Sequence, residues 1–140
     1  MSDSLSYAAA GVDVEAGERA VELMRSAIAS THRPEVIGDF GGFAGLFEMT
    51  AFKSMNRPLL ATSTDGVGTK IDVARKLDKH DTVGIDLVAM VVDDLVVCGA
   101  QPLFMTDYIA VGKVDPTRVA AIVTGIANGC AQAGCALVGG

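Results

Sequence analysis

The sequence contains no tryptophan, and its only tyrosines are Tyr7 and Tyr108. Proteins that track nucleic acid need a basic surface and, for single strands, aromatic platforms on which bases stack. With 11 Lys and Arg against 17 Asp and Glu, and a formal net charge of −6, this chain offers neither, and nucleic acid is excluded as an expected partner. Cysteine is scarce: Cys98, Cys130 and Cys135 are odd in number and show no C-x-x-C spacing. That pattern argues against a disulfide framework and for a reducing, cytoplasmic setting. The amino terminus has no basic segment followed by an apolar run, so a secretory signal is not expected. The most apolar stretch, 83–97, is broken by Asp86, Asp93 and Asp94. Each would cost about 2.5–3.5 kcal/mol near a bilayer centre, so the stretch is not a membrane span.

What is present is 140 residues, half of them hydrophobic and a fifth charged, enough for one compact domain with a real core. If an acidic protein of this kind binds a polyanion such as a nucleotide, it must do so locally, through backbone N–H groups, a few lysines and divalent cations.

The periodicity predicts a helix over 14–30, capped by Asp13, with Val21, Met24 and Ile28 on one face and Glu15 and Arg19 as an i,i+4 pair. Four glycines within 38–45 predict a mobile loop leading into a short strand near 45–49. The run 58–64 reads as a strand ended by Asp65-Gly66, 69–77 as a short helix, 83–99 as a largely buried helix and 102–111 as a long strand. Asp115-Pro116 marks the start of a helix whose apolar face runs through Val119, Ile122, Val123, Ile126, Cys130 and Ala133, with Gly134 as its stop. A further strand begins at Ala136.

The sharpest chemical signal is Asp65-Gly66-Val67-Gly68-Thr69-Lys70 at the end of the 58–64 run. Its glycines free the backbone to approach phosphate, Thr69 and Lys70 add a hydroxyl and an ammonium, and Asp65 is a candidate metal ligand. The spacing is neither a Walker loop nor a G-x-G-x-x-G turn, and an ordinary Asp-Gly turn with a surface lysine fits it as well. Asp86 and Asp93 are seven apart and share a helical face, with Asp94 beside them. Carboxylates on a buried helix need a cation, donors or raised pKa values; alternatively they form the helix's solvent-facing stripe. The glycine loop is either a lid over phosphates or a plain connection. His32 and His80 read as surface residues, the three cysteines as buried thiols, and Met24, Met49, Met55, Met90 and Met105 as core filler.

Several segments in register resemble the phosphoribosylformylglycinamidine cyclo-ligase (aminoimidazole ribonucleotide synthetase) family. They are Ser6-Tyr7, 10–13, 33–36, Gly41-Gly42-Phe43, 65–70, 80–90, 94–97, 102–104, Asp107-Tyr108 and 137–140. The resemblance implies an α+β, sandwich-like fold: a four-stranded mixed or antiparallel sheet with helices on one side, pairing with a second subunit into an eight-stranded barrel. It implies ATP and Mg²⁺ as cofactors and formylglycinamidine ribonucleotide as substrate. The formyl amide oxygen would be phosphorylated, and a substrate nitrogen would then displace phosphate to close the imidazole ring.

Carried onto this sequence, the family's pattern makes Asp65 and Asp94 metal ligands and Lys70 the cation on the phosphates. Gly66, Gly68 and Thr69 become the turn beneath them, and Gly41, Gly42 and Phe43 part of a lid over ATP. Where the family's pattern has Asn, this chain has Asp93. Family members continue past Gly139-Gly140 with a Glu-Thr-Ala segment and a second domain. Residues 1–140 are therefore expected to be a single amino-terminal nucleotide-binding and dimerisation domain, truncated and inactive in catalysis by itself. The competing readings are another ATP-dependent enzyme of the same superfamily, such as formylglycinamidine ribonucleotide synthetase, selenophosphate synthetase or thiamine-phosphate kinase, and a non-catalytic nucleotide-binding or dimerisation module.

Overall fold

The computed structural model describes residues 6–7, 9–38, 41–42 and 44–140. Helix α1, Val14–Ala29, starts where Asp13 Oδ1 accepts from the Ala16 amide at 3.0 Å. Its ion pair joins Arg25 to Glu22 at 3.2 Å; the expected Glu15–Arg19 pair is not formed among the described residues. A hairpin follows, β1 (Val36–Ile37) antiparallel to β2 (Leu46–Phe47), with the glycine loop at its tip. Helices α2 (Lys70–Leu77) and α3 (Val83–Val97) come next, then β3 (Phe104–Thr106), α4 (Pro116–Ala133) and β4 (Ala136–Gly139). α4 is built as its sequence dictates: Asp115 caps the Arg118 amide at 3.0 Å, Pro116 opens the helix, and Gly134 ends it at φ +69°. Because β3 and β4 are parallel, the chain must cross over between them, and α4 is the crossover.

The core lies where α4 packs between α1 and α3 and against β4. Ile28, Val88, Val123, Ile126, Cys130, Cys135 and Leu137 are its buried centre, with Met24 and Met105 packed on its margin. α3 and α4 approach backbone to backbone, since a Cβ at Gly84 would collide with the main chain of Ile122, Gly125 and Ile126. Thr31 stitches α1 to β4: its hydroxyl donates to the Ile28 carbonyl (2.8 Å) and accepts from the Leu137 amide (2.9 Å). The hairpin is fixed to β3 by the Phe47 and Phe104 rings, whose centroids are 5.2 Å apart, and to β4 by Gly45, which leaves no room for a side chain against Val138.

The fold is α+β, as expected, but several particulars differ. The four strands form two pairs, β1–β2 and β3–β4, and not one four-stranded sheet among the described residues. Residues 58–64 are extended without being a strand, because no neighbouring strand offers them a backbone ladder; Leu59 and Leu60 are 84 % and 67 % exposed. The 102–111 strand contracts to β3 for the same reason. Helix α3 is covered on one face only, so Met90, Val96 and Val97 are exposed, as are Met49 and Met55. Cys98, at the projecting end of α3, is exposed, whereas Cys130 and Cys135 are buried. His80 is not a surface residue: the turn between α2 and α3 folds it inward to 7 % exposure, with Nε2 3.3 Å from Asp78 Oδ1.

Candidate functional site

The extended run from Pro58 lies along α3 in the opposite direction, and two side-chain bonds fix its register. Ser63 Oγ donates to Asp94 Oδ2 at 2.8 Å near the end of α3, and Lys70 Nζ donates to Asp86 Oδ1 at 3.0 Å in its first turn. Between them, Gly68 takes a left-handed φ of +56°, a conformation that favours glycine, and the Lys70 amide closes the turn on the Val67 carbonyl at 3.2 Å. Lys70 is therefore both the first residue of α2 and the ammonium nearest the acidic face of α3. Thr69 occupies the N-cap position without a side-chain capping bond, while the Lys70 and Asp72 amides donate to the Val67 and Thr69 carbonyls at 3.2 and 3.0 Å.

Asp65 is exposed, and its Oδ1 accepts from the Gly66 amide at 2.7 Å. Asp93 and Asp94 are exposed and Asp86 is half-buried, so the acidic residues form an accessible stripe on α3. The arrangement brings Lys70 to Asp86 and Ser63 to Asp94. Among the described residues no three His, Cys, Asp or Glu side chains gather into a metal-binding cluster. Hard carboxylate oxygens on Asp65 and Asp94 nonetheless suit Mg²⁺, which commonly takes one or two carboxylates and fills its remaining positions with water and phosphate. Gly41 and Gly42 are exposed in the hairpin loop, Gly41 at φ +106°, and Phe43 lies outside the described residues.

Beside this turn an open groove of about 860 Å³ is walled by the run 58–65, by Leu87, Val91 and Leu95 of α3, and by 103–108. Two residues here were given no role in the sequence reading. Ser63 is one of three successive hydroxyl residues, between Thr62 and Thr64, with nothing to single it out, and its partner is 31 positions away. Asp107 stands just after β3, lining both the groove and a neighbouring cavity of about 310 Å³. Its Oδ2 is shut off from solvent with no hydrogen-bond partner among the described residues, and burial pushes its carboxyl above the usual carboxylate range.

A glycine-containing turn at the start of α2, held directly against the carboxylate-bearing α3, marks the site of this α+β domain. Residues 49–140 match the family described as AIR synthase related protein, N-terminal domain, and the chain belongs to that family. Its relatives include proteins named phosphoribosylformylglycinamidine cyclo-ligase. That of Acetivibrio thermocellus is 60% identical over 96% of this chain and 39% of its own length. That of Geobacillus kaustophilus is 56% identical over the same shares, and that of Syntrophotalea carbinolica is 56% identical over 100% of this chain and 40% of its own. The chain thus spans about two fifths of the length of the curated relatives it matches.

Proposed function

We propose that this chain is the nucleotide-binding part of an ATP-dependent cyclo-ligase that converts formylglycinamidine ribonucleotide to aminoimidazole ribonucleotide in purine biosynthesis, working in the cytoplasm. The observation that carries the reading is the register of 63–70 along α3, which sets a glycine turn, a hydroxyl and an ammonium beside the acidic stripe. The likeness to relatives named for that activity supports it.

In this reading Asp65 and Asp94 hold Mg²⁺, and Gly66, Gly68 and Thr69 present the turn on which the ATP phosphates rest. Bound there, the metal would offset charge on the transferred phosphoryl oxygens. Lys70 does the same from the protein side, and it must first leave Asp86. Both partners are about half exposed, 46 % and 45 %, and such pairs are worth only about 0–1 kcal/mol, so the exchange costs little. Gly41, Gly42 and Phe43 close over the nucleotide and exclude water. The formyl amide oxygen attacks the γ-phosphorus and ADP leaves; a substrate nitrogen then attacks the activated carbon, phosphate leaves and the ring closes. For this chemistry the protein's contribution is position and electrostatics.

The reading includes a homodimer. The exposed Leu59 and Leu60 suit burial against a second copy, each chain supplying a four-stranded sheet to a shared eight-stranded barrel.

Thermal denaturation with ATP, with and without Mg²⁺, tests the site. The parent should gain stability with ATP and Mg²⁺ together. Asp94→Asn should lose the metal-dependent part while the unliganded fold is kept, and Lys70→Ala should weaken nucleotide binding with the metal dependence retained. An Asp94→Asn protein that responds to Mg²⁺ and ATP as the parent does would remove Asp94 from the site.

A further inference from the structure

We infer that Ser63 is a positioning residue for a divalent cation, its hydroxyl holding one oxygen of the Asp94 carboxylate so that the other is kept for the metal. The inference rests on the functional reading above and adds to it a residue to which that reading gives no role. Ser63 Oγ donates to Asp94 Oδ2 at 2.8 Å, across the 31 positions that separate the extended run from the last turn of α3. Asp94 is exposed, so burial does not oblige it to find a donor. The bond orients the acid without being needed to solvate it.

The kind of donor is what points to a cation. Lys70 offsets the charge of Asp86 as well as holding it, whereas a hydroxyl orients a carboxylate and leaves its negative charge intact. No lysine, arginine or histidine pairs with Asp94 among the described residues. The last turn of α3 has no basic residue, so Asp94 sits at the negative end of the helix dipole, where a cation is favoured and an acid alone is not. Ser63 also fixes the spacing of the two acids. Asp65 follows it by two residues, about 7 Å of extended chain, and residues two apart in such a run leave the backbone on the same side. Asp65 Oδ1 accepts from the Gly66 amide at 2.7 Å, so each acid has one oxygen held by a neutral donor and a second with no protein partner among the described residues. Removing the hydrogen-bond partner behind a ligating group typically lowers metal affinity by about tenfold to a hundredfold.

The test uses the full-length gene product and titrates Mg²⁺ at a fixed ATP concentration, following thermal stability. Ser63→Ala should need about tenfold or more Mg²⁺ than the parent to reach half of the full stabilisation. Ser63→Thr restores the hydroxyl on a residue type that extended chain accepts readily, and should return the requirement to the parent's. Stability in urea without ligands should be alike in all three proteins, because the Ser63–Asp94 bond is exposed. A Ser63→Ala protein with the parent's Mg²⁺ requirement overturns the inference, as does a Ser63→Thr protein as deficient as Ser63→Ala. A loss of unliganded stability with the Mg²⁺ requirement unchanged overturns it too, since that is the mark of a bond that only holds the fold. If the parent itself gains nothing from ATP and Mg²⁺ together, the functional reading fails and takes this inference with it; a parent that gains, and a Ser63→Ala protein that gains at the same Mg²⁺ concentration, refute the inference alone.

Discussion

The crossing of α3 and α4 makes a sharp prediction about two glycines that look alike in the sequence. Gly84 sits in the first turn of α3, against α4, and an added Cβ would lie 2.5 Å from the Ile122 carbonyl oxygen and 2.7 Å from the Gly125 carbonyl carbon, where ordinary contact begins at 3.4 Å. These are main-chain atoms of a helix and cannot swing aside, and the Ile126 amide nitrogen is nearer still, so Gly84→Ala must part the helices by at least about 0.9 Å, the difference between 3.4 and 2.5 Å. A gap of that size forfeits about a quarter to a half of the dispersion energy of each contact it opens. The contacts at risk belong to Val88, Val123, Ile126 and Cys130 at the core's centre.

Overpacking of this kind costs about 1–3 kcal/mol, and rigid neighbours put this site at the upper end. Alanine's better helix propensity returns about 1 kcal/mol, leaving a net loss of about 2 kcal/mol. Gly17 of α1 has nothing within 4 Å of its would-be Cβ, so Gly17→Ala should keep the propensity gain and stabilise by about 0.5–1 kcal/mol. Urea denaturation at constant m-value measures both. If Gly84→Ala is as stable as Gly17→Ala, the helices do not meet backbone to backbone and the reasoning fails.

Thr31→Val removes the oxygen that accepts from the buried Leu137 amide at 2.9 Å and should destabilise by about 1–3 kcal/mol in the same assay; a neutral result would mean that another acceptor reaches that amide. Asp107 supplies a pH dependence. Its folded-state pKa is raised by burial, so the folded protein holds this proton more tightly than the unfolded chain, whose carboxyl titrates near 3.8. The contribution to stability is thus fully present below that value and lost as pH rises through the folded pKa. Asp107→Asn should therefore be more stable than the parent at neutral pH, with the advantage vanishing in acid; an advantage that grows in acid would show the opposite shift. Sedimentation of the purified chain should give a dimer at micromolar concentration, and Leu59→Ser with Leu60→Ser should release monomers. A parent that sediments as a monomer would count against the barrel.

The helices were legible because their signals are local. Asp13 and Asp115 cap within three residues, Pro116 and Gly134 bracket α4, and the apolar face from Val119 to Ala133 has one period throughout. The strands were legible in part: those expected near 45–49 and from Ala136 are β2 and β4, whereas a run such as 58–64 is a strand only when a second backbone pairs with it, and β propensity carries no record of the partner. His80 was misplaced for a related reason: its burial follows from how α2 turns into α3, which no residue beside it encodes.

The same division runs through the site. The Asp65–Lys70 turn could be found in the sequence because its glycines, acid, hydroxyl and ammonium are near neighbours along the chain. Its setting could not: Lys70 finds Asp86 16 positions on, and Ser63 finds Asp94 31 positions on, distances at which sequence spacing says nothing about contact. Asp107 is the extreme case. In the sequence it is one acid inside the run 102–111, quoted only for its resemblance, and the packing of β3 beside β4 is what buries its Oδ2 without a donor among the described residues.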